Sequence, residues 1–236
     1  MDFSQTISLS DLLHKLASYF LLFPKTFYKV ISSPHWIPGY VEAELDKKQA
    51  DRFDSHVSPA FFWLIIGVFS YFISLEILVQ GFSDDALVKA FDTLDTFAII
   101  TGFVFLFIPV PVSFACVLHL MKYKSIETSS FKRSFFIQCY CTAPLQLFYL
   151  SAFFITETDS LLNLLGLILL AGFGWFIYCE ISIIRKELNA GLPKIIGILI
   201  LMWISLWVNM LIGTGIFVAI NIKTIRMLVD TLLPKV

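Results

Sequence analysis

The stretch PKIIGILILMWISLWVNMLIGTGIFVAI, residues 193–220, decides the fold class. After Lys194 it runs to Ile220 without a charged side chain. A helix needs about 20 predominantly apolar residues to cross the hydrocarbon of a bilayer. This segment exceeds that length, so as a helix it must tilt or finish in the interface.

Working outward from it, four more stretches meet the same criterion: Ala60–Val79, Thr96–Met121, Ser134–Ile155 and Leu161–Ile184. Short polar segments separate them, with no repeat, low-complexity tract or flexible linker. The expected fold is an all-α integral membrane protein, a bundle of five transmembrane helices with amphipathic interfacial helices at both ends. Residues 1–58 form an N-terminal segment, 59–220 the five-span domain and 221–236 an amphipathic tail. In the first segment Leu9, Leu12, Leu13, Leu16 and Phe20 recur at helical spacing behind Ser8 and Asp11, a plausible cap, and Pro24 is expected to end the pattern. In the tail Ile222, Ile225, Val229 and Leu232 make one stripe, and Lys223, Arg226 and Asp230 another. Both pieces read as helices lying on the membrane surface, the first with a second reading as a docking site for a protein partner.

Composition agrees. The chain is 58% hydrophobic with 25 Phe and a mean hydropathy of +0.82, above the roughly 45–50% apolar content of soluble domains. Its 17 basic and 18 acidic residues balance to a net charge of -1, which argues against the clustered basic surface of a nucleic-acid binder. The opening MDFSQTISLS lacks the cationic start and apolar core of a secretory signal, so insertion through the internal spans is expected.

Lys and Arg set the orientation. Lys15, Lys25, Lys29, Lys47, Lys48 and Arg52 precede the first span. Lys122, Lys124, Lys132 and Arg133 follow the second, and Arg185, Lys186 and Lys194 follow the fourth. Five spans place all of these on one side, so the N-terminus is expected to be cytoplasmic. The opposite side would carry Asp84, Asp85, Asp92, Asp95, Glu157 and Asp159 against Lys89. That rim is either solvated or a cation-attracting face. Glu76, in the run FSYFISLEILVQ (residues 69–80), falls about one turn from the outer end of the first span. From there a carboxylate reaches water by snorkelling.

Helix breakers fall near the centres of three consecutive spans: Pro109 and Pro111 in FIPVPVS, Pro144 in CTAPLQLF, and Gly172 and Gly174 in AGFGW. Proline frees a carbonyl in the preceding turn, which in lipid must find another partner. Ser113, Gln138, Thr142 and Gln146 lie within two turns of the breaks. Interrupted helices at matched depth build substrate sites in many transporters. The same residues also serve as kinks and as points of close helix approach. A second constellation, His119 and Glu180, stands near the inner ends of the second and fourth spans beside Lys122 and Arg185. It fits a proton relay or metal pair, or an interfacial ion pair.

No nucleophile elbow, phosphate-cradling glycine loop or zinc-protease spacing occurs, so no catalytic residue, metal or cofactor is expected. Cys116, Cys139, Cys141 and Cys179 sit in apolar runs, where thiols are usually inert.

The order of segments is similar to that of a known family. FYKVISSPHWIPGYVEAELDKKQADRFDSHVSPAFFW leads into the spans, the third opens with FKRSFFIQCYCTAPLQL, and the fourth passes into IYCEISIIRKELNAGLPKIIG. The Ser58-Pro59 start of the first span, Lys132-Arg133, and the spacing of Tyr140 to Pro144 resemble the Yip-type family of small five-span membrane proteins. The nearest likeness is to its prokaryotic, permease-like branch. Eukaryotic members interact with Rab GTPases and carry a long acidic-aromatic N-terminal region, which this sequence does not show. The resemblance covers residues 23–218 and carries no catalytic residues with it. The expected function is a non-enzymatic scaffold or regulator within a membrane complex, in a bacterial inner membrane. Its partners would be the lipid bilayer and other proteins or a second copy, with Gly215 and Ala219 as a helix contact. The alternative is a small permease or channel-like transporter with its site at the mid-membrane breaks.

Overall fold

The structure, a computed structural model, describes residues 9–81, 101–102, 108–123, 128–153 and 159–222. Side chains are described from Ala17 onward in part of these ranges. Glu76, the acidic rim, the stripe from Leu9 to Leu16 and the tail stripes from Lys223 lie outside the described residues or side chains.

Every element among the described residues is helical: α1 (Leu9–Ser32), α2 (Ile37–Asp46), α3 (Pro59–Gly81), α4 (Pro109–Tyr123), α5 (Thr128–Phe153), α6 (Asp159–Leu188) and α7 (Leu192–Ile220), with short 3-10 turns at Pro34–Trp36 and Gln49–Asp51. The starts follow from proline chemistry. Pro59, Pro109 and Pro193 each occupy the first two positions of a helix, where a backbone N–H would have no intrahelical partner. Ser58 supplies the carbonyl for the first bond of α3, from Phe62 N at 2.8 Å. At the far end of α7, Asn221 closes the helix with both its backbone N–H and its side-chain Nδ2 on the Phe217 carbonyl, each at 3.0 Å. Asn189, at φ 46°, turns the chain between α6 and α7, a left-handed step that Asn tolerates.

α5 is the axis of the bundle. It packs against α3, α4, α6 and α2, while α7 packs mainly against α4. The core joins Phe62 and Ile66, Phe114 and Leu118, Ile137 and Tyr140, Phe176 and Ile183, and Ile195 and Met202. Every residue from Ile137 to Gln146 is buried.

By length and composition, two helices among the described residues can cross a membrane: Gly166–Leu188 within α6, and α7. α3 adds a shorter apolar helix over Pro59–Ile73. α5 is long enough at 26 residues but carries Gln138, Thr142 and Gln146 on a surface that other helices cover. A helix surrounded by protein needs no continuous apolar exterior. Large apolar side chains are exposed on α3 (Val68, Phe69, Phe72), α6 (Leu167, Leu170, Phe173) and α7 (Ile200, Ile204, Trp207, Leu211).

The N-terminal segment departs from expectation at Pro24. α1 does not end there but continues to Ser32. The proline ring displaces the N–H that would bond the Phe20 carbonyl. Phe20 is 80% exposed, so its side of the helix faces the surroundings, where that carbonyl can be satisfied. The inner face is tied down. The Thr26 hydroxyl donates to Leu22 O at 2.8 Å and accepts from Val57 N at 2.9 Å, and Lys25 Nζ donates to Ser55 O at 3.0 Å. Phe53 adopts a left-handed φ of 63°, held by its N–H on Glu44 Oε2 at 2.6 Å.

Candidate functional site

Two polar seams run through the bundle. The first lies between α5 and α6. Gln138, Cys141 and Thr142 are three and four residues apart and so share one face of α5. Cys179 and Glu180 face them from α6. Gln138 Nε2 donates to Glu180 Oε2 at 3.2 Å, and the Cys141 and Cys179 sulfurs lie 2.7 Å apart. Thr142 Oγ1 donates to the Gln138 carbonyl at 2.7 Å. Gln138 Oε1, Glu180 Oε1 and both side-chain polar atoms of Gln146 are buried and make no hydrogen bond among the described residues. Such groups normally find partners.

Small residues let α5 and α6 approach. A Cβ on Gly172 would fall 2.2 Å from Phe148 Cγ, so the glycine is a point of close packing. Gly174, two residues on, faces open space. Pro144 lies inside α5, which continues through it.

The second seam joins α4 and α7. Ser113 donates to Pro109 O at 2.6 Å and accepts from Asn209 Nδ2 at 3.0 Å. Pro111 is buried and Pro109 half-buried. Phe114, Phe176 and Trp203 pack together where α4, α6 and α7 meet. The eight breaker-associated residues thus separate. Gln138 and Gly172 lie in the α5–α6 seam, Pro144 and Gln146 are buried further along α5, and Pro109, Pro111 and Ser113 lie at the start of α4, where Ser113 meets α7. Gly174 belongs to neither seam.

Depth separates Gln138 from the breakers. The Tyr140 hydroxyl donates to Val57 O at 2.5 Å, and its ring packs 5.7 Å from that of Phe62. Gln138 and Glu180 therefore lie close to the level at which α3 begins. His119 is buried against the rings of Tyr123 (4.9 Å) and Phe131 (5.8 Å), whereas the hydrogen-bond partner of Glu180 across its seam is Gln138.

The N-terminal segment packs against the bundle on both sides of this level and clamps one end of it. Trp175 Nε1 donates to Ile31 O at 2.9 Å and Lys186 Nζ to His35 O at 3.1 Å. Arg133 grips Glu187 through both Nη atoms, Nη2 at 2.8 Å from Oε1, and reaches Glu42 at 3.2 Å. Lys122 adds a third cation–carboxylate contact, 2.9 Å from Glu187 Oε2. Burial opposes the Arg133 charge, but Glu187 and Glu42 outweigh it and raise its pKa above the usual value. Trp36 and Tyr40 stack with ring centres 4.2 Å apart, and His56 packs tilted against Trp36 and edge-on to Tyr40. Burial pushes the Tyr40 hydroxyl up to about 12. Arg185, grouped with His119 and Glu180 on sequence, is exposed.

Sequence reasoning missed Glu42, Glu187 and Asn209. Asn209 carried a usable signal, since it is the lone amide within the uncharged run of residues 195–220. Glu187 meets Arg133 from 54 residues away, which no local spacing encodes. Among the described residues no group of three or more His, Cys, Asp or Glu side chains is arranged to hold a metal ion.

No family model matches the chain, and no curated protein or solved structure matches it.

Proposed function

We propose that this chain is a five-span protein of the bacterial inner membrane, Yip-like in layout. Its N-terminal segment would be cytoplasmic, and it would act without catalysis as a scaffold or regulator in a membrane complex. The observation that carries this reading is the contrast between end and sides. One end of α4, α5 and α6 is gathered under a polar clamp built from Glu42, Lys122, Arg133, Lys186 and Glu187. The sides of α3, α6 and α7 expose Phe72, Leu170, Phe173, Ile204 and Leu211, an apolar extent that water does not support. Lipid on the sides and a rigid, charged platform on one end suit a protein that presents a fixed surface to partners. Among the described residues, Lys122, Arg133 and Lys186 gather at that platform, as basic residues of cytoplasmic loops do.

Cross-linking in native membranes followed by affinity purification tests the scaffold role. The reading predicts a discrete complex larger than the monomer, and a chain that always runs alone contradicts it.

The unpartnered atoms of Gln138, Gln146 and Glu180 favour a second reading, a small permease whose path runs along α5 past these groups. Flux in proteoliposomes that is abolished by Gln146→Leu would support it. Flux that is absent, or unchanged by that substitution, would exclude that path.

A further inference from the structure

Helix α1 carries two cations that the scaffold reading does not use. Lys25 and Lys29 are four residues apart and so share one side of the helix. That side meets the segment before α3. Lys25 Nζ donates to the Ser55 carbonyl at 3.0 Å, and Lys29 Nζ stands 5.8 Å over the Trp36 ring, itself 4.8 Å from the ring of His56. The Ser55 hydroxyl joins the group, 3.0 Å from His56 Nδ1 and 3.5 Å from the Tyr40 hydroxyl. Among the described residues no salt bridge forms to either lysine. Glu44, the buried carboxylate of this segment, is taken by Lys47 and the Phe53 N–H, and Asp54 is exposed. Lys25 and Ser55 are exposed and Lys29 is half-buried, so a ligand reaches them from outside without a cavity.

The opposite side of α1 is apolar. Phe27 packs 6.4 Å from the ring of Phe62, in the first turn of α3. Phe20, seven residues earlier, shares that side and is 80% exposed. Leu21 and Tyr28 are exposed between the two sides. α1 thus lies across the start of α3 with phenylalanines toward the spans and lysines toward the segment that precedes them. Helices of this kind lie in the plane of the interface and are drawn to anionic lipid, and Trp and Tyr gather at the same level.

We propose that Lys25, Lys29 and the Ser55 hydroxyl bind the headgroup phosphate of an anionic phospholipid whose acyl chains run past Phe20 and Leu21. This rests on the membrane reading above. The lysines supply the attraction, Ser55 donates a hydrogen bond, and the stacked Trp36 and Tyr40 rings keep the segment in place. A zwitterionic lipid fits less well, because its own cation already offsets the phosphate.

The test places the full chain in phosphatidylcholine nanodiscs that hold a small fraction of phosphatidylglycerol with a photoreactive headgroup, and maps adducts by peptide mass spectrometry. Adducts are expected to concentrate in residues 20–36 and 52–58, to fall when unlabelled phosphatidylglycerol is added, and to persist when glycerol phosphate is added to the water. Lys25→Gln with Lys29→Gln should cut them roughly tenfold or more, since each lysine near an anionic surface is worth about a factor of five. Lys25→Arg with Lys29→Arg should retain them. Adducts spread evenly over the outer helices, adducts competed away by glycerol phosphate, or adducts unchanged in the glutamine variant overturn the proposal. A phosphatidylcholine with a photoreactive acyl chain separates the two readings. Its adducts on Trp207 and Leu211 of α7 uphold the membrane bundle even where the headgroup site fails, and their absence removes both. The wild-type competition stands whether or not the variants fold.

Discussion

Tyr140 and Val57 are joined by a 2.5 Å hydrogen bond, from the phenol hydroxyl in the middle of the central helix to the carbonyl just before α3 begins. Both residues are fully buried. This bond fixes the N-terminal segment against α5 and sets the relative height of the two helices.

Tyr140→Phe should therefore destabilise the protein by about 1–3 kcal/mol, because the Val57 carbonyl stays buried without a partner. The loss should concentrate in the N-terminal segment. Limited proteolysis in detergent would show faster cleavage before residue 58, with α5–α7 protected as before.

Glu187 and Glu42 share Arg133 but should not be equivalent. The Glu187 side chain is 3% exposed, that of Glu42 61%. Glu187→Gln leaves Arg133 and Lys122 short of their shared carboxylate and should cost about 3 kcal/mol, as breaking a buried pair does. Glu42→Gln should cost under about 1 kcal/mol, as an exposed pair does. Denaturant midpoints for the two variants check the difference.

Gly172→Ala should cost about 1–3 kcal/mol through overpacking against Phe148, whereas Gly174→Ala, with open space around it, should be neutral or stabilising by up to about 1 kcal/mol. Adding Phe148→Ala to Gly172→Ala should recover part of the loss. Thermal melts of the three variants decide the matter.

His56 predicts a pH dependence. Burial, and then the nearby Lys25 charge, hold its imidazole below the usual value of 6.5. The unfolded chain therefore binds the proton at a pH where the folded chain does not. Stability should be unaffected by His56 above about pH 7, fall as pH drops through 6.5 toward the depressed folded value, and level off below that. His56→Gln should flatten this part of the profile, as read by melting temperature between pH 8 and 5.

What the sequence made legible was set by how local each cause is. The run of residues 193–220 appears as α7, and the helix start at Pro59 follows from chemistry confined to one turn, whereas Pro109, read as a breaker in the middle of a span, instead opens α4. The continuation of α1 past Pro24 was not legible, because it depends on which side of the helix faces outward. The position of Gln138 was not legible either. Counted along its own span it lies within two turns of Pro144, but the Tyr140–Val57 bond places it near the start of α3. Arg133 with Glu187, and Cys141 with Cys179, are pairings between helices that only packing creates. The two seams have the same origin: residues grouped by depth on paper separate once each helix chooses its neighbour.

The proposed membrane bundle would set the clamp and the α6–α7 turn on one side of the bilayer and residues 82–95 on the other. Single cysteines at Asp54, Asp85 and Asn189, in a chain otherwise free of cysteine, can be labelled with an impermeant maleimide in sealed inside-out and right-side-out vesicles. The account predicts that positions 54 and 189 react only from the cytoplasmic face and position 85 only from the opposite face. Labelling of 54 and 85 from the same face would contradict it.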